Sequence, residues 1–324
     1  MKRLLAIVCV AWTIAGCATP PSAPELLDAA PTLLDAAPTL LDVTPRVAVI
    51  SAFDAELSLL RAQVQCARSH RIHGVEFTTG ELEGRPVVLL LSGISMTNAA
   101  MNTQRVLDRF KVTHIVFSGI AGGVNPAVHI GDVAVPQRWA SYLEAVFARE
   151  SAPGRFEPPG WMKDATLPNY GMVHPRPVGV VSARADKPEP RFWFEVDPAM
   201  LAAARQLGDV ALAKCAGPAT APPACLDHAP ALVFGGSGVS GSAFVDNAAF
   251  RQYTFATFRA NVLDMETSAV AQVAYANGVP YLAFRSLSDL AGGDAGENQL
   301  GVFFQIAANN SAKVVLAFLR RWRP

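Results

Sequence analysis

Leu263-Asp264-Met265-Glu266-Thr267 closes one apolar, β-branched run, and Arg285-Ser286-Leu287-Ser288-Asp289 closes the next. Runs of this kind read as buried strands. A third acidic residue, Glu56, follows the run Arg46-Val47-Ala48-Val49-Ile50-Ser51 in the same way. Ligands of open α/β sheets bind beyond the carboxyl ends of strands. Three carboxylates at three strand ends therefore point to acid/base chemistry on a hydroxylated small molecule at one sheet edge.

Further strands are predicted at about 86–91, 114–118, 131–135 and 232–235. Leu57, Leu60 and Val64 share one helical face, as do Val270, Val273 and Ala274, and a last helix is predicted from about Phe303 to Arg320. Strands alternating with helices argue for an α/β domain whose mostly parallel sheet is covered on both faces. The stretch from about 140 to 198 breaks the alternation, with prolines at 153, 158, 159, 168, 175, 177, 188, 190 and 198. It reads as a long irregular insertion with the character of a lid.

The start of the chain reads as an address. Lys2 and Arg3 precede an apolar run from Leu4 to Gly16, too short to cross a bilayer and of the length of a signal-peptide core. Ile14-Ala15-Gly16-Cys17 resembles a bacterial lipobox, which implies a signal peptide over residues 1–16, cleavage before Cys17 and acylation of that cysteine. Ala18, where an Asp would mark retention, points to an outer-membrane lipoprotein facing the periplasm. Residues 17–45 form the tether: Leu26-Leu27-Asp28-Ala29-Ala30-Pro31-Thr32 repeats at Leu33–Thr39 and decays at Leu40–Pro45. A proline in each unit breaks any continuous helix, so the tether is expected to be extended. No later segment reads as a membrane span, and the body from residue 46 to 324 is expected to be one domain held to the membrane by its lipid alone.

Hydrophobic residues make up 51% of the chain, and Lys+Arg and Asp+Glu both number 27. Zero net charge without a basic block argues against a nucleic-acid partner and for a small, near-neutral substrate. Cys215 and Cys225 flank a breaker-rich loop in what should be an oxidising compartment, and a disulfide is expected between them. Cys66 is then alone and expected to be buried. No metal site is expected, because no Cys or His spacing looks like one: His70 and His73 are the only close pair of histidines, with no further ligand read beside them.

Ser92-Gly93-Ile94-Ser95 and Ser118-Gly119-Ile120-Ala121-Gly122-Gly123 read as turns whose glycines let a ligand approach the backbone. Neither carries the Lys of a phosphate-binding loop. Gly236-Ser237-Gly238-Val239-Ser240-Gly241 matches a dinucleotide fingerprint in form but comes too late in the chain for that fold, and reads as a Gly/Ser turn beside a binding site. No nucleophile elbow supports an esterase. Glu56 falls in a first helical turn, where the helix dipole favours the anion that a water-activating base requires.

Taken together and in order, Ala52–Glu56, Ser92–Ile94, Ser118–Gly123, Val239–Val245, Asp264–Glu266 and Ser288-Asp289 resemble the purine nucleoside phosphorylase superfamily. Within it the chain looks most like the 5'-methylthioadenosine/S-adenosylhomocysteine nucleosidases. The resemblance implies a three-layer α/β/α sandwich around a mixed sheet, a homodimer, a purine nucleoside substrate, and neither organic cofactor nor metal. It implies Glu56 as the base that activates water and Asp289 as the acid that protonates purine N7. Glu266 would hold the ribose hydroxyls, with Met265 packed against the sugar. Phe244 would stack on the purine, the Val245 backbone would read its edge, Ser92 would stand near base and ribose, and Ala121 and Gly122 would line the site.

Phosphorylases of the superfamily carry an Arg in the first loop and another before the central Gly motif, where they clamp phosphate. Here the first loop has Glu56 and no Arg, and Phe117 stands in the second place. Hydrolysis of the N-glycosidic bond is therefore expected, with phosphorolysis as the alternative. Asp264 and Ser242 depart from the common bacterial pattern, Glu and Asp respectively, which bears on substrate identity. A non-catalytic nucleoside-binding or storage lipoprotein is the competing class, since one fold hosts both.

Overall fold

In the computed structural model the described residues are 39–162, 167–215 and 224–323. The leader, Cys17 and the tether as far as residue 38 lie outside them, and the chain divides into one unit of residues 1–38 and another of 39–324.

Twelve strands form one mixed sheet. The motif run ending at Ser51 is β1 (Asp42–Ser51), which enters α1 (Asp54–Arg61); β2 (Gln65–Ile72), β3 (Val75–Leu82) and β4 (Arg85–Leu91) make an antiparallel meander leading into α2 (Met96–Arg109). At the centre lies β5 (Phe110–Gly123), parallel to β1. After β6 (Val133–Val135) and β7 (Arg138–Ser141) come the insertion, β8 (Phe194–Glu195), α3 (Pro198–Arg205), β9 (Leu232–Phe234) and β10 (Ser237–Ser240). Then α4 (Ala248–Phe258) leads to β11 (Ala260–Asp264), α5 (Thr267–Ala276), β12 (Tyr281–Asp289) and α6 (Leu300–Arg321). β12 runs parallel to β5 on the side away from β1, while β11 meets the end of β5 antiparallel, Leu263 opposite Gly122.

Helices α1 and α6 pack together, as do α2 and α5, which sandwich the sheet as the α/β/α architecture requires. The core runs through Val49, Ile50, Val116, Phe117, Phe284 and Phe318, all fully buried. Each such side chain contributes roughly 1.5–3 kcal/mol by leaving water. α6 alone among the described helices has the length and apolarity of a membrane span. Its Ile306, Val314, Val315 and Phe318 are buried against the domain, however, so it is a core helix. At its midpoint Ser311 Oγ donates to the Phe284 carbonyl and accepts from the Gly119 amide at 3.1 Å, stitching α6 to β5 and β12.

The structure departs from the sequence reading at five places. β1 begins at Asp42, so the last residues assigned to the tether belong to the sheet, with Arg46 paired to Asp42 at 2.5 Å. Cys66 is exposed with φ 51°, because the register of β2 breaks between Gln65 and Arg68 on an edge strand. The β2–β3 hairpin itself escapes the periodicity reading, since β2 is polar and exposed nearly throughout. Ser237–Ser240 is a fully buried strand where a Gly/Ser turn was expected; a Cβ on Gly238 would lie 2.5 Å from the Trp139 ring, so the glycine serves packing.

The Pro-rich stretch, fifth, is not irregular. It forms antiparallel pairs of 145–147 with 173–175, 149–152 with 155–157, and 178–182 with 185–191. Two-stranded ribbons have only edges, where a missing proline N–H costs no ladder bond, so Pro188 and Pro190 are tolerated. The last ribbon folds onto α5, where Tyr275 donates to Glu189 and the Arg191 guanidinium lies 4.7 Å over the Tyr275 ring. The expected disulfide is formed, Cys215 to Cys225. Closing a short loop of this kind stabilises by about 3 kcal/mol on the chain-entropy model.

Candidate active site

One sheet edge gathers the ends of β1, β4, β5, β11 and β12, and a cavity of about 390 Å³ opens there. Glu56, Asp289, Ala121, Gly122, Phe244, Val245, Met265 and Glu266 all line it. Ser92 does not: it is fully buried, its hydroxyl donates to the Gly93 carbonyl at 2.9 Å, and its carbonyl accepts from Asn102. From the same loop it is Ile94 that reaches the cavity. Phe53, Leu300, Gly301 and Phe304 complete the wall. None of the described residues of the insertion is among the lining.

Each of these three carboxylates is held by backbone amides. Glu56 takes the Ala52 amide on Oε2 and the Ile120 amide on Oε1, both at 2.7 Å. Burial pushes its pKa up, against the opposing pull of Arg285 and of these amides. The result is a carboxylate both held anionic by donors and made more basic by a dry setting, as a general base should be. Asp289 is raised, first by burial, although the Ala291 amide at 2.8 Å and the Ser288 hydroxyl at 2.9 Å favour its anion. A raised carboxyl keeps a proton to give, which suits a general acid. Glu266 is pushed up to about 7 by burial, with the Asp264 charge adding and Arg285 and the Ser95 amide opposing.

Asp264 has a different task. It accepts from Ser240 at 2.5 Å, from the amides of Glu266 and Thr267 at 3.2 and 3.1 Å, and from the Thr267 hydroxyl, which closes the amino end of α5. It also pairs with Arg285 Nε at 2.8 Å.

Arg285 is the residue that sequence reasoning passed over. Fully buried, it stands 3.6 Å from Glu56 and 3.6 Å from Glu266, and its guanidinium lies 4.0 Å over the Phe117 ring. The signal was present as a charged residue inside an otherwise apolar strand, since an arginine is almost never buried unless paired. Gly119 exists to admit it. A Cβ there would overlap Arg285 Nη1 and lie 2.5 Å from Glu56 Oε1. The Phe117 that stands where a phosphorylase carries an Arg is thus the platform for this guanidinium.

A family model described as the phosphorylase superfamily matches residues 46–320. The chain belongs to that superfamily. Its curated relatives include the 5'-methylthioadenosine/S-adenosylhomocysteine nucleosidases of Bacillus licheniformis, 28% identical over 84% of this chain and 97% of the relative, and of Mycobacterium bovis, 27% identical over 84% and 95%. Among solved structures, the Neisseria meningitidis nucleosidase in complex with methylthio-immucillin-A superposes with a TM-score of 0.61 at 24% identity, covering 86% of this chain and 99% of that one. The futalosine hydrolase of Helicobacter pylori does so with a TM-score of 0.61 at 19% identity, covering 86% and 98%. At these identities the structural likeness establishes the superfamily fold, a mixed sheet between helical layers as the motifs implied.

Proposed function

We propose that this phosphorylase-superfamily chain hydrolyses the N-glycosidic bond of purine nucleosides of the 5'-methylthioadenosine/S-adenosylhomocysteine type, releasing free base and free ribose sugar. The observation that carries the choice of nucleophile is the charge of the wall. Among the described residues, four carboxylates line the cavity, Glu56, Asp264, Glu266 and Asp289, and no Lys, Arg or His does. The one arginine nearby, Arg285, is spent on three of those carboxylates. A phosphate dianion would meet repulsion there without a bidentate partner.

In the proposed reaction the protonated Asp289 gives its proton to purine N7 as the N9–C1' bond breaks, so the base leaves neutral. Glu56 takes a proton from water as that water's oxygen bonds to C1', and Glu266 accepts from the ribose hydroxyls as positive charge develops on the sugar. Phe244, half-exposed, offers a face for the purine. The apolar side chains of Phe53, Ile94, Leu300 and Phe304 suit a methylthio group better than a charged amino-acid tail.

The full chain, incubated with 5'-methylthioadenosine, S-adenosylhomocysteine, futalosine and inosine, should release base at a rate indifferent to phosphate, with 5'-methylthioadenosine preferred and free sugar as product. Ribose 1-phosphate in the product would move the protein to the phosphorolytic reading, and binding without turnover of any nucleoside would favour the storage reading.

The same proposal places the domain on the periplasmic face of the outer membrane as a homodimer, anchored by acylated Cys17. What supports the anchor is the lipobox-like Ile14-Ala15-Gly16-Cys17 and the repeat tether behind it. Cys17→Ser should leave the protein unacylated and shift it from the membrane to the soluble fraction; a variant that still fractionates with membranes would place the anchor elsewhere.

A further inference from the structure

We propose that His129, Asp132 and His228 form a binding site for one divalent transition-metal ion of the zinc class. One nitrogen from each ring and one carboxylate oxygen lie within 4.8 Å of one another. His129 Nδ1 stands 3.8 Å from Asp132 Oδ2, and His228 Nε2 stands 3.6 Å from Asp132 Oδ1. These separations are too long for hydrogen bonds. They are close to the edge of a zinc tetrahedron, roughly 3.4 Å for metal–ligand bonds of about 2.0–2.1 Å. Two imidazoles and one carboxylate are the donor set that suits such an ion, and exposed His129 leaves the outer side open to water.

The carboxylate is positioned in advance. Asp132 is buried, and the His129 amide holds its Oδ2 at 2.9 Å while the Ala231 amide holds its Oδ1 at 2.8 Å. Each oxygen keeps a lone pair for the facing imidazole or for an ion between them. His228 Nε2 supplies an independent observation. It is sealed from solvent yet has no hydrogen-bond partner, a cost that a bound cation would remove. The two rings sit with centroids 4.5 Å apart, a spacing at which neither ring blocks the other's approach to a shared ion.

The site joins parts of the chain that the sequence keeps far apart. Asp132 leads into β6, and its carbonyl accepts from the Leu287 amide of β12, two residues before Asp289. His228 follows Cys225 closely, and the Cys215–Cys225 disulfide together with the Leu226 amide to Lys214 carbonyl bond fixes the base of its loop. An ion there would clamp the segment after Cys225 to the chain entering β6, which is itself bonded to the strand that carries Asp289. The cluster is separate from the nucleoside cavity, none of whose lining residues belongs to it, so the inference does not depend on the proposed reaction.

The test uses the full chain purified without a polyhistidine tag, stripped with a chelator and titrated with Co²⁺, followed by its visible absorption and by equilibrium dialysis, with Zn²⁺ as competitor. One equivalent of Co²⁺ should bind and be displaced by Zn²⁺. His228→Ala should weaken binding by about a hundredfold or more, since removing even an outer-shell partner costs 10- to 100-fold. His129→Ala should do the same; both rings lie partly at the surface, so these variants keep the fold, whereas Asp132→Asn removes a buried acceptor. Cys66→Ser should bind as the wild type does. Absence of saturable binding, binding unchanged in both histidine variants, or loss of the equivalent in Cys66→Ser would each overturn the assignment.

Discussion

Asp289→Asn is expected to lower kcat by roughly 10² to 10⁴-fold, the range for one positioned acid or base. Asparagine nearly preserves volume and can accept from the Ala291 amide as Asp289 Oδ1 does at 2.8 Å, so the turn after β12 should survive. What is lost is the transferable proton. Because burial raises the Asp289 pKa, the acid form persists above the ordinary carboxylate range, and wild-type turnover should fall as pH rises through that pKa. The Asn variant should lose that limb of the profile along with the rate, while KM moves little. A residue that only caps the turn would leave turnover near normal in a well-folded variant, and that result would remove Asp289 from the mechanism.

Arg285→Met should cost about 3–5 kcal/mol of stability, the usual consequence of deleting one partner from a buried ionic cluster. Against a typical total of about 5–15 kcal/mol this is a large fraction. Three carboxylates, Glu56, Asp264 and Glu266, would be left without their cation. The loss also has a signed pH dependence. Glu266 is raised from its ordinary 4.5 to about 7, so between those values the folded state holds a proton that the unfolded chain has released, and stability falls as pH rises through that window. Without Arg285, which opposes the rise at Glu56 and Glu266, the folded pKa values of these two groups rise further, so the gap between wild type and variant should widen from pH 5.5 to pH 8. Urea unfolding followed by near-ultraviolet circular dichroism at the two pH values measures it. A gap below about 1 kcal/mol, or one equal at both pH values, would show that the guanidinium does not hold the carboxylates.

The two substitutions mark how far the sequence could be read. Asp289, Glu266 and Glu56 were legible because each follows directly on a β-branched apolar run, and a strand end is a local feature. All three line the same cavity. Arg285 stood in the same quoted motif, but its role depends on a guanidinium reaching across β5 past Gly119, which no periodicity encodes. Ser92 shows the converse: it lies on the right loop, but the left-handed backbone at Gly93, φ 77°, and at Ser95, φ 81°, turns its hydroxyl away and presents Ile94. Leu300, Gly301 and Phe304 escaped notice because the start of α6 looks, in sequence, like the start of any apolar helix.

By itself the sequence determined the α/β class, the three carboxylates, the disulfide and the superfamily, because each rests on local patterns of apolar periodicity, breakers and short motifs. The tertiary structure alone decided that β10 is a buried strand, that the Pro-rich insertion is built of ribbons, the last of them packed on α5, and that Cys66 faces solvent. It also decided which carboxylates surround Arg285, and it brought His228 to Asp132 across nearly a hundred residues of chain. The physical reason is common to all of these. Burial, pKa and ligand geometry depend on what lies within a few ångströms, and in a sheet whose neighbouring strands are distant in sequence, most of those neighbours come from elsewhere in the chain.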